Sequence, residues 1–245
     1  LETLSELNGK TFSELGSAAR DLESTTIRCI ILRRENPAEI IAEIFSRLNQ
    51  GGVDLSDQEI RHALFPGNFN DLLSELSQVE EIKNFKLGKR GNSRRDSLEG
   101  EELVLRYFAM RNDMKNYEGN LKSFLDRYMK RHQKIDKHVV DALRKDFLSA
   151  LKKCKTIFDE ENELFTSLSG GRRRQGLVYF DLQMTTLQNF SLKELKNVKA
   201  NIRVSWAEMC SSREFKSLIE GGVQRKTSIG QRNKIWMARL NNIIN

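Results

Sequence analysis

The chain is short of the residues that break helices and of those that build covalent or metal frameworks. Only two prolines, Pro37 and Pro66, occur in 245 residues, so few positions forbid a helix. The three cysteines are far apart and form no paired motif, which excludes a disulfide framework and a zinc knuckle and indicates a reducing cytoplasm. We expect Cys29, Cys154 and Cys210 to be small apolar core residues.

Long apolar runs and a leading signal segment are also missing. No stretch approaches the roughly 18 consecutive apolar residues of a membrane-spanning helix, and no basic-then-apolar segment opens the chain. We therefore expect no membrane partner. The first residue is Leu1 and the opening already has a helical pattern, so we interpret the chain as a fragment.

Standard catalytic motifs are missing as well. The chain has no Walker-type phosphate loop, no GxGxxG after a strand and no GxSxG nucleophile elbow. Its three histidines, His62, His132 and His138, form no metal-binding pattern, and we predict that they are solvated residues on helix faces. No complete active site is visible, so the catalytic residues are unknown and we expect neither a metal site nor a cofactor bound by this chain.

The chain is rich in charged residues, most of all basic ones. It has 41 Lys and Arg against 34 Asp and Glu, which give a formal net charge of +7 and a pI near 9.3. This positive charge favours a polyanionic partner, and a requirement for solubility alone explains it equally well. Hydrophobic residues make up 38%, which is typical of a globular protein with one large or two small domains.

Local patterns predict one strand and then helices. Alternating apolar residues in "TTIRCIILR", residues 25–33, predict a strand. The next segment, "NPAEIIAEIFSRL", begins with an N-cap asparagine and a first-turn proline and carries one apolar stripe, so we predict a helix. Ser56 and Glu59 form a second capping box, and the helix that they open should end at "FPG", residues 65–67.

The rest of the chain has an almost continuous helical period. Its apolar stripes predict a helical bundle, and we favour core packing over a ligand pocket for their Met and aromatic residues. The stripes contain Leu103, Tyr107, Met110; Leu121, Phe124, Leu125, Tyr128, Met129; Val139, Leu143, Phe147, Leu151, Phe158; and Ile229, Trp236, Leu240, Ile243.

A turn between two helices carries residues suited to binding. Arg47 could bind a phosphate, and Asn49 offers a hydrogen-bond donor and an acceptor. Gly51 and Gly52 have no side chain, so a ligand could come close to their backbone. The same residues also suit a helix C-cap, in which a left-handed residue ends the helix and Arg47 faces the negative end of its dipole. Both interpretations are open from the residues alone.

Two basic, glycine-containing segments are predicted surface loops. They are "KLGKRGNSRRD" at 86–96 and "SGGRRRQG" at 169–176, and both suit contacts with nucleic-acid phosphates. RNA is a weaker candidate because "KLGKRGNSRR" has no aromatic side chain on which bases could stack. Alternatively, the arginines at 94 and 95 pair with nearby carboxylates and only solubilise a helix start. The candidate DNA-binding residues are Lys86, Lys89, Arg90, Arg94, Arg95, Arg172, Arg173 and Arg174.

Four segments together resemble the GmrSD restriction endonuclease N-terminal domain family. The most specific is "EIFSRLNQGGVDLSDQEIRHALFPG" at 43–67, and "RRDSLEGEELVLRYFAM" at 94–110 and "FLDRYMKR" at 124–131 follow in order. "FKSLIEGGVQRKTSIGQRNKIW" at 215–236 is similar to the closing segment of the family, where the last helix carries an arginine. The resemblance covers most of the chain.

The resemblance implies a ParB/sulfiredoxin-like α/β portion followed by a helical bundle. Residues 1–35 would be the end of a truncated α/β portion and residues 36–245 the bundle, so we expect a mainly α chain with at most a short strand near its start. The family implies an NTP-dependent DNA endonuclease of prokaryotic defence that senses modified or foreign DNA. Its Asp-Gly-Gln-Gln-Arg motif is absent from this chain.

We therefore expect the helical portion of such an endonuclease, inactive as this fragment, with a nucleoside triphosphate and Mg²⁺ bound by the full-length protein. By the resemblance, the turn formed by Arg47, Asn49, Gly51 and Gly52 would face the nucleotide or phosphodiester. The alternative is a non-enzymatic module that binds DNA or a protein partner. A homodimer or a partner subunit is compatible with either.

Overall fold

The computed structural model describes residues 5–26, 44, 55–85, 98–158, 163–168 and 175–244. The chain divides into two compact units, Leu1–Ile41 and Ala42–Asn245. In the described part of the first unit, two short 3₁₀ turns at Ser5–Leu7 and Phe12–Glu14 precede helix α1, Ala18–Ser24. No side chain among residues 5–26 is buried.

The second unit is helical throughout its described residues. Two 3₁₀ turns, Met114–Asn116 and Leu187–Asn189, extend the ends of longer helices. The helices are α2 (Asp57–Leu64), α3 (Asn68–Ser77), α4 (Glu80–Lys83), α5 (Glu99–Asp113), α6 (Leu121–His132), α7 (Lys137–Ile157), α8 (Leu177–Thr186), α9 (Leu192–Asn197), α10 (Lys199–Ser211), α11 (Arg213–Glu220) and α12 (Lys226–Ile244).

The predicted capping box opens helix α2. The Ser56 hydroxyl accepts the Glu59 backbone N–H at 3.1 Å, and the Glu59 carboxylate accepts the Ser56 backbone N–H at 2.7 Å. Two amide groups that the helix itself cannot pair are therefore satisfied. The helix ends at Leu64, directly before the "FPG" turn. Both predicted boundaries are confirmed.

Helix α5 is the centre of the second unit. It packs against α3, α6 and α8, and every side chain from Leu103 to Met110 is buried. A helix that is covered on all sides buries residues all round rather than along one stripe. Aromatic contacts extend this core to α7, where the rings of Tyr107 and Phe147 meet edge to face at 5.2 Å between centroids.

The mainly α fold predicted from the sequence is confirmed, and the described residues contain no strand. Most positions of the predicted apolar stripes are buried, and Cys154 and Cys210 are buried as expected. Residues 27–33 of the predicted strand, the predicted 37–48 helix apart from Ile44, and Cys29 lie outside the described residues. The domain boundary at residues 35 and 36 stays a prediction.

The turn between α2 and α3 is fastened to the turn between α6 and α7. Gly67 has φ +156°, and a Cβ atom built on it would lie 2.1 Å from the backbone oxygen of Gln133. The Gln133 side chain donates to the Pro66 carbonyl at 2.9 Å. The Asn68 amide donates to the Ile135 carbonyl and accepts the Ile135 backbone N–H. Only glycine fits this close approach.

Replacing Gly67 with alanine should therefore destabilise the fold. We expect a loss of roughly 1–3 kcal/mol from backbone strain, with the displaced Gln133 carbonyl as an additional cost. Gly230→Ala is the matched control, because Gly230 is an exposed residue within α12 and has open space around its Cα. The free energy of unfolding of Gly230→Ala should be roughly 0.5–1 kcal/mol higher than that of the wild type. Urea unfolding of both variants measures the difference, and equal midpoints would contradict the close approach.

Candidate functional site

A cavity of about 190 Å³ lies where three helices of the second unit begin. Ser56 is the N-cap of α2, Glu99 is the first residue of α5 and Leu177 is the first residue of α8. Side chains from the first two turns of α2 and α5 complete the wall. The lining residues are Ser56, Gln58, Glu99, Glu102, Leu103, Arg106 and Leu177.

Three residues of the cavity wall follow, in sequence, the three segments singled out above. The turn with Gly51 and Gly52 precedes Ser56, the basic segment 86–96 precedes Glu99, and the basic segment 169–176 ends next to Leu177. These three wall residues lie around one opening, although they are far apart in sequence. No local sequence pattern indicates this arrangement, because it depends on how the helices pack.

The predicted binding residues themselves lie outside the described residues, so their placement stays a prediction. This holds for the turn residues and for every candidate DNA-binding residue: Arg47, Asn49, Gly51, Gly52, Lys86, Lys89, Arg90, Arg94, Arg95, Arg172, Arg173 and Arg174. Of the two basic segments, the structure describes only Gln175 and Gly176 at the end of the second. The Gln175 side chain donates to the Leu164 carbonyl at 3.3 Å.

Beside the cavity, a buried arginine joins three helices. Arg61 on α2 is 2% exposed. Its guanidinium donates to Glu102 on α5 at 2.9 Å and to Asp126 on α6 at 2.7 Å, and it also donates to Gln58 at 3.3 Å. A buried charge is tolerated only when it is paired and hydrogen-bonded in this way. Arg61 therefore fixes the position of α2, and with it the position of Ser56.

A second buried arginine joins α5 to α8. The Arg106 guanidinium donates to both carboxylate oxygens of Asp181, at 2.6 and 2.5 Å. Burial disfavours the charged guanidinium, but the Asp181 carboxylate outweighs this effect and raises the pKa of Arg106 above its ordinary value. The planar fork of arginine matches a carboxylate in this two-point geometry. The pair therefore sets both the spacing and the rotation of α5 against α8.

A third buried arginine lies on α12 and holds the turn that precedes this helix. Arg232 on α12 donates to the backbone carbonyls of Leu218 at 2.8 Å and Val223 at 2.7 Å. Burial lowers the pKa of Arg232, although an arginine retains its charge at neutral pH. These bonds hold the turn between α11 and α12. This arginine is the one carried by the last segment of the family resemblance, and here it has a structural role.

The polar side chains of the described cavity wall are bonded to other side chains of the protein. Glu102 accepts from Arg61, Arg106 donates to Asp181, and the Gln58 amide donates to Glu101 at 3.4 Å. Opposite charges are paired with each other, so these groups position the surrounding helices.

All three histidines lie on helices, as predicted, and two of them also contact neighbouring side chains. His62 contacts the buried Glu101 carboxylate through Nδ1 at 2.9 Å, and the Ser74 hydroxyl donates to the same carboxylate at 2.6 Å. His132 stacks on Tyr128 with 4.0 Å between centroids. Both rings are half-buried because a neighbouring helix covers one side of each, whereas His138 is exposed as predicted.

Comparisons with known proteins return nothing: no family model, no curated protein and no solved structure matches the chain. Within the described ranges, no group of three His, Cys, Asp or Glu side chains is placed to hold a metal ion. None of the helices in that part of the chain combines the length and the apolar character needed to span a bilayer.

The buried pair of Arg106 and Asp181 should be costly to break. Asp181→Asn leaves the Arg106 charge buried without a carboxylate, so we expect a loss of about 3–5 kcal/mol. The control is Arg144→Gln, which removes surface bonds to Glu75 at 2.7 Å and Asp141 at 2.5 Å. It should cost no more than about 1 kcal/mol. Urea unfolding gives both values, and a loss of less than about 1 kcal/mol for Asp181→Asn would contradict the structural role of the pair.

Proposed function

We propose that this chain is the helical portion of a nucleotide-dependent DNA endonuclease of prokaryotic defence that senses modified or foreign DNA. In this proposal the chain is inactive as a fragment and provides phosphate contacts to a site completed elsewhere. The observation that carries the proposal is that Ser56, Glu99 and Leu177, which follow the three predicted phosphate-binding segments in sequence, line one cavity.

The positions of Ser56, Glu99 and Leu177 at one opening support this proposal, because each follows a candidate phosphate-binding segment in sequence. Each residue marks the start of a helix, and each follows a segment rich in Gly, Arg or Lys. Loops that surround one opening can contact successive phosphates of the same strand, whereas scattered basic loops cannot. Arg47, Asn49, Gly51 and Gly52 would lie nearest to the nucleotide or phosphodiester.

The family resemblance also supports the proposal. Its first string contributes Arg61, its second contributes Glu102 and Arg106, and its third contributes Asp126. These residues come from separate parts of the chain, and direct ion pairs of Arg61 join all three strings. Sequence segments that together define one fold are expected to contact one another in this way. In the full-length protein, a nucleoside triphosphate and Mg²⁺ would be bound with the missing Asp-Gly-Gln-Gln-Arg motif.

The second candidate is a non-enzymatic module that binds DNA or a protein partner, which includes a second copy of this chain. The observation that favours it is the paired state of the charges on the described cavity wall. Such a wall suits a scaffold that presents loops. The two candidates differ in whether phosphate contacts serve a reaction, so nucleotide turnover by the full-length protein separates them.

DNA binding by the basic segments should depend on salt. We expect a variant with Lys89, Arg90, Arg172 and Arg173 changed to Gln to bind duplex DNA with a smaller slope of log affinity against log salt, by about 0.9 for each lost phosphate contact. The preference among unmodified sequences should hardly change. A salt titration of wild type and variant gives the slopes. Superimposable titrations would remove the basic segments from the proposed interface.

The purified chain should hydrolyse neither ATP nor GTP and should not nick plasmid DNA in the presence of Mg²⁺, because the acid-bearing motif of the family is absent. Phosphate release and plasmid relaxation measure this, with Arg47→Ala as the matched variant. Turnover that is present in the wild type and lost in Arg47→Ala would place an active site within this chain and would contradict the proposed division of roles.

A further inference from the structure

A strongly basic surface lies at the turn between α6 and α7, in a part of the sequence outside the three segments considered so far. We name the residues from 130 to 138 the basic corner. The only acidic residue among them is Asp136. The exposed basic side chains of the corner are Lys130, Arg131, Lys134, Lys137 and His138.

The charge of the basic corner is displayed to solvent. Arg131 is held by Asp113, so its guanidinium has a fixed position. Lys134 and Lys137 form no ion pair with any residue of the described ranges. Even after Asp136 offsets one charge, the corner keeps a net positive charge. A concentration of unneutralised lysines on one turn favours a partner with closely spaced negative charges.

The backbone of the basic corner is fixed before any partner arrives. Gly67 allows the Gln133 carbonyl to come close, the Gln133 side chain bonds to the Pro66 carbonyl, and Asn68 pairs with both backbone groups of Ile135. A loop that is already ordered pays little conformational entropy on binding. The corner can therefore present its lysines in a constant arrangement.

Helix α2 connects the basic corner to the cavity. Ser56, at the start of α2, lines the cavity, and the residues that follow its end hold the corner. Eight residues of α-helix span about 12 Å. Because duplex DNA carries one negative charge per roughly 1.7 Å of its axis, this distance corresponds to about seven phosphates. A duplex that lies along α2 therefore carries enough phosphates to contact both ends of the helix.

We infer that the basic corner is a second contact surface for the phosphate backbone of duplex DNA, beyond the segments around the cavity. This inference rests on the proposed function. The exposed side chains of the corner are charged, so the corner offers no exposed apolar side chain for insertion into a bilayer. The corner reads no base sequence. It extends the footprint and fixes the orientation of the duplex relative to the cavity.

The test is a salt titration of duplex DNA binding by the 245-residue chain and two variants. The first changes Lys134 and Lys137 to Gln. The second is matched in net charge and changes Lys193 and Lys196, exposed residues of α9, to Gln. If the inference holds, the slope of log affinity against log salt falls by up to about 1.8 in the corner variant and stays unchanged in the matched variant.

Equal slopes for the corner variant and the wild type would overturn the inference, as would equal losses in the two variants, because net charge alone would then explain them. If the wild type binds no duplex DNA, both the inference and the proposed DNA binding fail. If the variant of the basic segments loses slope and the corner variant does not, only the inference fails. Tighter binding of the wild type to phosphatidylserine vesicles than to DNA would also overturn it.

Discussion

The charge of Arg106 is taken out of water in the middle of the second unit, and the need to neutralise it fixes how α5 and α8 meet. Asp181 satisfies this need with two parallel hydrogen bonds. The buried charge of Arg61 must be neutralised as well, and ion pairs with Glu102 and Asp126 neutralise it. An arginine left without its partner in such a place costs several kcal/mol. The ion pairs therefore permit only a narrow set of helix arrangements.

This arrangement explains why the cavity lies where it does. Once Arg61 and Arg106 hold α2 and α8 against α5, the first residues of all three helices surround the same opening. The frame is internally neutralised, and the segments that precede α2, α5 and α8 in sequence carry residues suited to phosphate. Loops carried by a packed scaffold are a common way to build a binding site. The contact surface proposed at the basic corner lies at the other end of α2.

What the sequence could predict was local. The Ser56 and Glu59 cap could be read because its two residues are three positions apart, and the apolar stripes could be read because a helix repeats every 3.6 residues. Arg61 and Arg106 could not be recognised as core residues, because their carboxylate partners are 41 and 65 residues away for Arg61 and 75 residues away for Arg106. The contact between His62 and Glu101, 39 residues apart, escaped for the same reason. Convergence on one cavity is likewise a property of packing and not of any single segment.

We propose that the three segments form one surface for phosphate. Hydrogen exchange of the chain with and without a short DNA duplex at low salt reports protection along the whole backbone. Exchange should slow in peptides from residues 47–56, 86–99 and 169–177 together when the duplex is present. Protection limited to one of these segments, or confined to α9–α12, would show that they do not form a common surface.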